Sequence, residues 1–137
     1  MKKVFLGGTC NESRWRDVLI PLLKIDYFNP VVDDWTEDCY LEEIYQRKVC
    51  DFCLYVITPR MKGVYSIAEV IDDSNKRPDK TIFCVLETDI DYGGFKITFD
   101  ESQMRSLNKV AKMVERNGGA CFDNLRDVAI YLNNGGK

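Results

Sequence analysis

Short apolar runs alternate along this chain with longer segments in which apolar residues recur every three or four positions. Val4 to Gly8 reads as a first strand that closes in Gly7-Gly8. Arg14 to Lys24 predicts a helix, with Trp15, Val18, Leu19, Leu22 and Leu23 on one face. Asn11 or Ser13 can cap its start, and Pro21 implies a kink or an early end. Tyr27 to Val32 reads as a second strand, placed at an edge or a strand end by Pro30. Cys39 to Val49 reads as a helix whose Arg47-Lys48 suits the negative end of the helix dipole. Phe52 to Ile57 is an unbroken apolar run, the mark of a strand buried on both faces. Further along come a helix over Ser66 to Ser74, a strand over Thr81 to Leu86, and a polar loop or short hairpin over Glu87 to Phe99. A helix over Ser102 to Arg116 stops at Gly118-Gly119. A short strand, Ala120 to Phe122, and a final helix, Asn124 to Leu132, complete the pattern.

Strands alternating with helices imply a parallel sheet covered on both faces, joined by right-handed crossovers. The expected class is α/β: a flavodoxin/Rossmann-like three-layer sandwich with a mostly parallel sheet of four to five strands. With 137 residues and no linker or repeat, the chain reads as one domain over residues 1–137.

Composition then narrows the chemistry. The chain has no histidine, which excludes Ser-His, Cys-His and histidine-metal sites and leaves acid–base work to carboxylates, tyrosine, lysine, cysteine or water. A net charge of -3 argues against a nucleic acid polymer as partner. No stretch approaches the ~20 apolar residues of a membrane span. The basic start Met1-Lys2-Lys3 precedes an apolar run too short for a signal segment, so the six cysteines are expected as reduced thiols in a cytoplasm. Cys50-Asp51-Phe52-Cys53 is a lone C-x-x-C that runs into a strand, and it reads as buried thiols rather than a redox or zinc motif. No metal and no cofactor are expected.

Loops leaving the carboxyl ends of parallel strands converge on one rim, where open α/β sheets bind ligands. The first such loop carries Gly7, Gly8, Thr9 and Asn11, the second Asp33, Asp34 and Trp35, the third Lys62 to Glu69. Gly7-Gly8 lets a ligand approach the backbone or simply makes a tight turn. Trp35 can stack on a base or pack locally. Glu42 and Glu43 sit on a helix, where acids are commonly solvated. Ser66-Ile67-Ala68-Glu69 fits a capping box, yet a glutamate in a first helical turn is also held ionised by the positive helix end, as attack on an anomeric carbon requires.

From about Lys3 to Leu86 the chain resembles the nucleoside 2-deoxyribosyltransferase-like proteins, a superfamily that includes 2'-deoxynucleoside 5'-phosphate N-hydrolases. The resemblance rests on Val4-Phe5-Leu6-Gly7-Gly8, on Glu43 through Asp51 into Cys53-Leu54-Tyr55-Val56-Ile57, and on Gly63-Val64-Tyr65-Ser66-Ile67-Ala68-Glu69. It implies cleavage or transfer of an N-glycosidic bond of a 2'-deoxynucleoside or its 5'-monophosphate, with Glu69 as nucleophile and Glu43, eight positions before Asp51, orienting Glu69 or the sugar. With that chemistry the converging loops are expected to supply substrate contacts from Gly7, Gly8, Thr9, Asn11, Asp33, Asp34, Trp35, Gly63 and Ser66, with a phosphate held by Arg14 or Lys62 and a small-molecule nucleoside or nucleotide as partner, and the resemblance further implies a homo-oligomer. Relatives carry an aspartate or a serine about six residues before the nucleophile, where this chain has Gly63, and the transferases carry a first-strand tyrosine where it has Phe5. Two other expectations stand beside this one: an NAD-cleaving domain resembling TIR domains, and a nucleotide-sensing module without turnover.

Overall fold

The computed structural model describes residues 1–10 and 12–137. Among them, five parallel strands form one sheet in the order β2-β1-β3-β4-β7. These are β1 (Lys3–Gly8), β2 (Asp26–Phe28), β3 (Phe52–Ile57), β4 (Thr81–Val85) and β7 (Ala120–Phe122). Between β4 and β7 an antiparallel hairpin is built from β5 (Thr88–Ile90) and β6 (Lys96–Thr98). The helices are α1 (Trp15–Leu19, continued by a 3-10 turn over Ile20–Leu22), α2 (Glu37–Val49), α3 (Tyr65–Lys76), α4 (Glu101–Asn117) and α5 (Leu125–Asn133).

Alternation along each strand divides the core into two layers. Val4, Leu6, Phe52, Leu54, Val56, Ile82 and Cys84 face α1 and α5, meeting Trp15, Leu19, Val128 and Leu132. Phe5, Cys53, Tyr55, Ile57, Phe83 and Val85 face the opposite way, onto Val70 of α3 and Leu107 and Val114 of α4. Every residue of β3 is buried, at roughly 1.5–3 kcal/mol for each large apolar side chain. This is the three-layer α/β sandwich that the alternating pattern implies.

Two elements take one of the forms expected of them, and one strand is shorter than expected. Pro21 ends α1 at Leu19 and tightens the following turn to 3-10 geometry. β2 is three residues long, pairs only with β1 at the sheet edge, and stops at Phe28, short of Pro30, which has no N–H for a ladder. The Glu87–Phe99 segment is a hairpin, its tip closed by Asp91 Oδ1, which accepts from the amides of Gly93 and Phe95 at 2.9 and 2.8 Å.

The chain leaves β1 for β2 on one side and returns to β3 on the other. The loops after β1 and β3 therefore part at neighbouring strand ends and open a crevice between them.

Candidate active site

Gly8 shapes the first wall of that crevice. Its φ is +116°, and a Cβ there would lie 2.1 Å from the Val56 carbonyl oxygen, so only glycine lets β1 turn away while still pressed against β3. Thr9 then stitches the two loops together. Its amide donates to the Val56 carbonyl at 2.9 Å, and its Oγ1 accepts from the Thr58 amide at 3.0 Å. The Thr9 carbonyl accepts from Trp15 Nε1 and Arg16 Nη1, both at 2.7 Å. Arg16 is buried over the Trp15 ring and also holds the Leu6 carbonyl through Nε and Nη2 at 3.2 and 2.9 Å. A buried cation thus ties down the end of β1, and burial lowers its pKa to about 10.

A cavity of about 270 Å³ lies in the crevice, lined by Gly8, Thr9, Cys10, Trp35, Glu43, Met61, Lys62, Gly63, Tyr65, Ser66 and Glu69. It adjoins an open space of about 460 Å³ that shares Trp35, Glu43 and Tyr65 and adds Glu37 and Tyr40. The Trp35 and Tyr40 rings stand 5.9 Å apart and tilted by 57°, giving an aromatic wall beside an acidic one.

Of the residues singled out in the sequence, Gly8, Thr9, Trp35, Glu43, Gly63, Ser66 and Glu69 come together around this cavity. Asn11 lies outside the described residues. Gly7 points into the protein, where a Cβ would meet the Tyr55 ring at 2.7 Å and the Phe5 ring at 2.9 Å. Its small size serves packing beneath the crevice, not close approach of a ligand. Asp33 and Asp34 stand exposed on the loop after β2, and Trp35 is the residue of that trio which lines the cavity. Of the two phosphate candidates, Lys62 lines it, whereas the Arg14 guanidinium sits 5.1 Å over the Tyr92 ring of the hairpin tip.

Glu69 is the fifth residue of α3, not a first-turn residue. The helix begins at Tyr65 with Val64 as N-cap and no side-chain cap, so the S-x-x-E pattern does not close a capping box. Its carboxylate turns instead toward α2, with Oε2 3.6 Å from Arg47 Nη1. The Arg47 side chain, assigned above to the helix dipole, is folded inward to meet α3 and is 9% exposed. Burial pushes the Glu69 carboxyl up to about 7, with Glu43, Asp73 and Asp72 adding to the rise and Arg47 opposing it. Burial thus opposes the ionisation expected from the helix end. Burial likewise raises Glu43, against the attraction of Arg47 and Arg16.

The C-x-x-C pair behaves as expected of packed thiols. Cys50 donates to Gln46 Oε1 and Cys53 to the Arg47 carbonyl, and burial pushes the Cys53 thiol up to about 12.

Sequence reasoning missed Arg47, Tyr40, Tyr65 and Arg16. Arg47 had one readable signal: with Glu43 it forms an i,i+4 pair, while Glu69, Asp72 and Asp73 repeat the same spacing on the next helix. Complementary faces on two helices separated by β3 become a contact only when their adjacency is known. Chemically, the cavity offers two half-buried carboxylates, one beside a fixed cation, with an aromatic surface next to them.

Among the described residues, no helix is long and apolar enough to cross a membrane. The model of the family described as nucleoside 2-deoxyribosyltransferase like matches residues 1–88. That span runs from the start of the chain to the first residue of β5 and contains every residue lining the 270 Å³ cavity. No curated protein matches the chain.

Proposed function

The chain belongs to the nucleoside 2-deoxyribosyltransferase-like family, and from that membership we propose that it breaks the N-glycosidic bond of a 2'-deoxynucleoside or its 5'-monophosphate with Glu69 as nucleophile. The observation that carries this reading is the presence of Glu69 and Glu43 in one cavity at the strand-switch crevice.

In this reaction a Glu69 oxygen attacks C1', forming a C1'–O bond as the C1'–N bond breaks. The base departs with the bonding pair and takes a proton. Glu43, whose carboxyl is raised by burial and which lines the same cavity, would give that proton or bind the sugar hydroxyls. Water or a second base then attacks C1', and the carboxylate is released. Trp35, Tyr40 and Tyr65 would receive the flat base, and Gly8, Thr9 and Ser66 the sugar end.

The test is release of free base from a panel of deoxynucleosides, deoxynucleotides and NAD by wild type and by Glu69→Ala. Loss of turnover in the variant by at least 10³-fold is expected, on the scale of removing a group on which the transition state depends. Equal turnover by both proteins removes Glu69 from the mechanism. Nicotinamide as the sole product assigns the NAD-cleaving alternative. A mass increase of the intact protein after mixing with a 2'-fluoro nucleoside, absent in Glu69→Ala, reports the covalent step directly.

A further inference from the structure

Arg47 makes more contacts than a clamp between two helices requires. Its Nε donates to Asp73 Oδ2 at 3.2 Å, and its Nη2 donates to Asp73 Oδ1 at 2.9 Å and to Asp72 Oδ2 at 3.1 Å. Asp73 is fully buried and is also held by the Tyr55 hydroxyl and by Arg77. One edge of the guanidinium is thus fixed by a carboxylate that is itself fixed on three sides. The geometry leaves Nη1 pointing at Glu69, 3.6 Å from Oε2. That separation is within ion-pairing distance and beyond an effective hydrogen bond.

We propose that Arg47, aimed by the buried Asp73, is the positioning residue of the Glu69 carboxylate: an ion-pair partner set outside hydrogen-bond range, so that the oxygen that attacks C1' keeps its lone pairs free. This rests on the reading of Glu69 as nucleophile. Only arginine suits the position, because its planar fork can bind Asp73 with one edge and face Glu69 with the remaining nitrogen. A lysine ammonium is a point charge and must choose.

The arrangement acts in both halves of the reaction. As the C1'–O bond forms, negative charge leaves Glu69 for the departing base, and Arg47 faces a neutral ester. As water or a second base breaks that bond, the pair of electrons returns to the carboxylate oxygen opposite Arg47. The cation therefore favours the ionised reactant before attack and stabilises the leaving carboxylate afterward.

The other charged and titratable groups around Glu69 fix how the test reads. α2 supplies Glu43 and Arg47, and α3 supplies Tyr65, Asp72 and Asp73. The loop after β3 supplies Lys62, and the loop after β1 supplies Cys10. Arg47 is the cation that draws Glu69 toward its ionised form, against burial and three carboxylates.

The experiment follows the Glu69 carboxyl by carbon NMR of protein labelled at glutamate, the resonance assigned by its disappearance in Glu69→Gln. Arg47→Gln is expected to raise the Glu69 midpoint by one pH unit or more, a tenfold or greater gain in proton affinity. The acid limb of kcat should move by the same amount, while KM stays within about twofold. Because Arg47→Gln strands Asp73, the double variant Arg47→Gln/Asp73→Asn is measured beside it and should show the same direction of shift. Arg47→Lys is expected to restore the midpoint in part. An unmoved Glu69 midpoint in either folded variant, with turnover intact, overturns the positioning role alone. A shifted midpoint with no base released from any substrate in the panel overturns the nucleophile reading, and the role falls with it although the contact stands.

Discussion

Glu69 is held in a place that costs the fold, and the cost is measurable by replacing it with its uncharged isostere. The side chain is 11% exposed and its carboxyl is raised from 4.5 to about 7. In the unfolded chain it ionises at the ordinary value. Between those two pH values the folded state binds more protons than the unfolded state, so unfolding free energy falls as pH rises through the window. Below about pH 4.5 both states are protonated and nothing is lost; above about pH 7 the penalty is complete. A shift of about 2.5 units at ~1.4 kcal/mol each sets a ceiling of about 3 kcal/mol. Glu69→Gln removes the charge and retains the shape, so it should match wild type near pH 4.5 and exceed it at pH 8 by up to that amount. For a chain of this size the gain corresponds to roughly 10 °C in Tm. Urea unfolding of both proteins at pH 4.5, 6 and 8 measures it, with the slope checked for constancy. Because the other titrating groups are common to both proteins, the difference reports Glu69 together with its coupling to Glu43. A pH-independent difference, or a variant weaker than wild type at pH 8, refutes the reasoning and shows that the Arg47 ion pair outweighs burial.

The remaining expectations concern the walls of the crevice. Gly7→Ala should lose at least ~1–3 kcal/mol of stability in urea, since the added carbon meets two buried rings, and a stable variant with impaired catalysis would return Gly7 to a ligand-contact role. Gly63→Ser should fold with stability within about 0.5 kcal/mol of wild type, because a Cβ there meets open space. In the same variant the ratio of monophosphate to nucleoside turnover should rise, and an unchanged ratio argues that position 63 does not read the 5' end of the sugar. Trp35→Ala should raise KM about 5- to 100-fold for base-bearing substrates with little change in Tm, the range expected for one lost stacking surface on a largely exposed residue.

Much of this architecture was legible because parallel strands buried on both faces advertise themselves as unbroken apolar runs. The bounds of β3 and β7 follow directly from Phe52–Ile57 and Ala120–Phe122. The short edge strand β2 was over-extended, since Val31 and Val32 look like strand residues but lie exposed beyond the proline. The start of α3 was misplaced by one residue, but what the local pattern could not show is that the Glu69 carboxylate lies against Arg47 of α2, and that packing sets its environment. Convergence of the β1 and β3 loops needed only strand order. The inward turn of Arg47 and Arg16 needed knowledge of which carbonyls and carboxylates lie buried nearby, and local sequence does not carry that.

The absence of histidine makes the environment of the two carboxylates the deciding feature of the proposed chemistry. A histidine would supply a group that titrates near neutrality without help. Here burial raises both carboxyls, Glu69 up to about 7, and Glu43 adds to the rise at Glu69. Two interacting carboxyls lose their protons as a pair, in separated steps. The proposed reaction requires a division of roles between the two, since one group must attack C1' and the other must protonate the departing base. Arg47 ion-pairs with Glu69 and is anchored by Asp73, and it draws Glu43 toward its ionised form as well. A bell-shaped dependence of kcat on pH is the outcome expected of one carboxylate that must be ionised and one group that must be protonated.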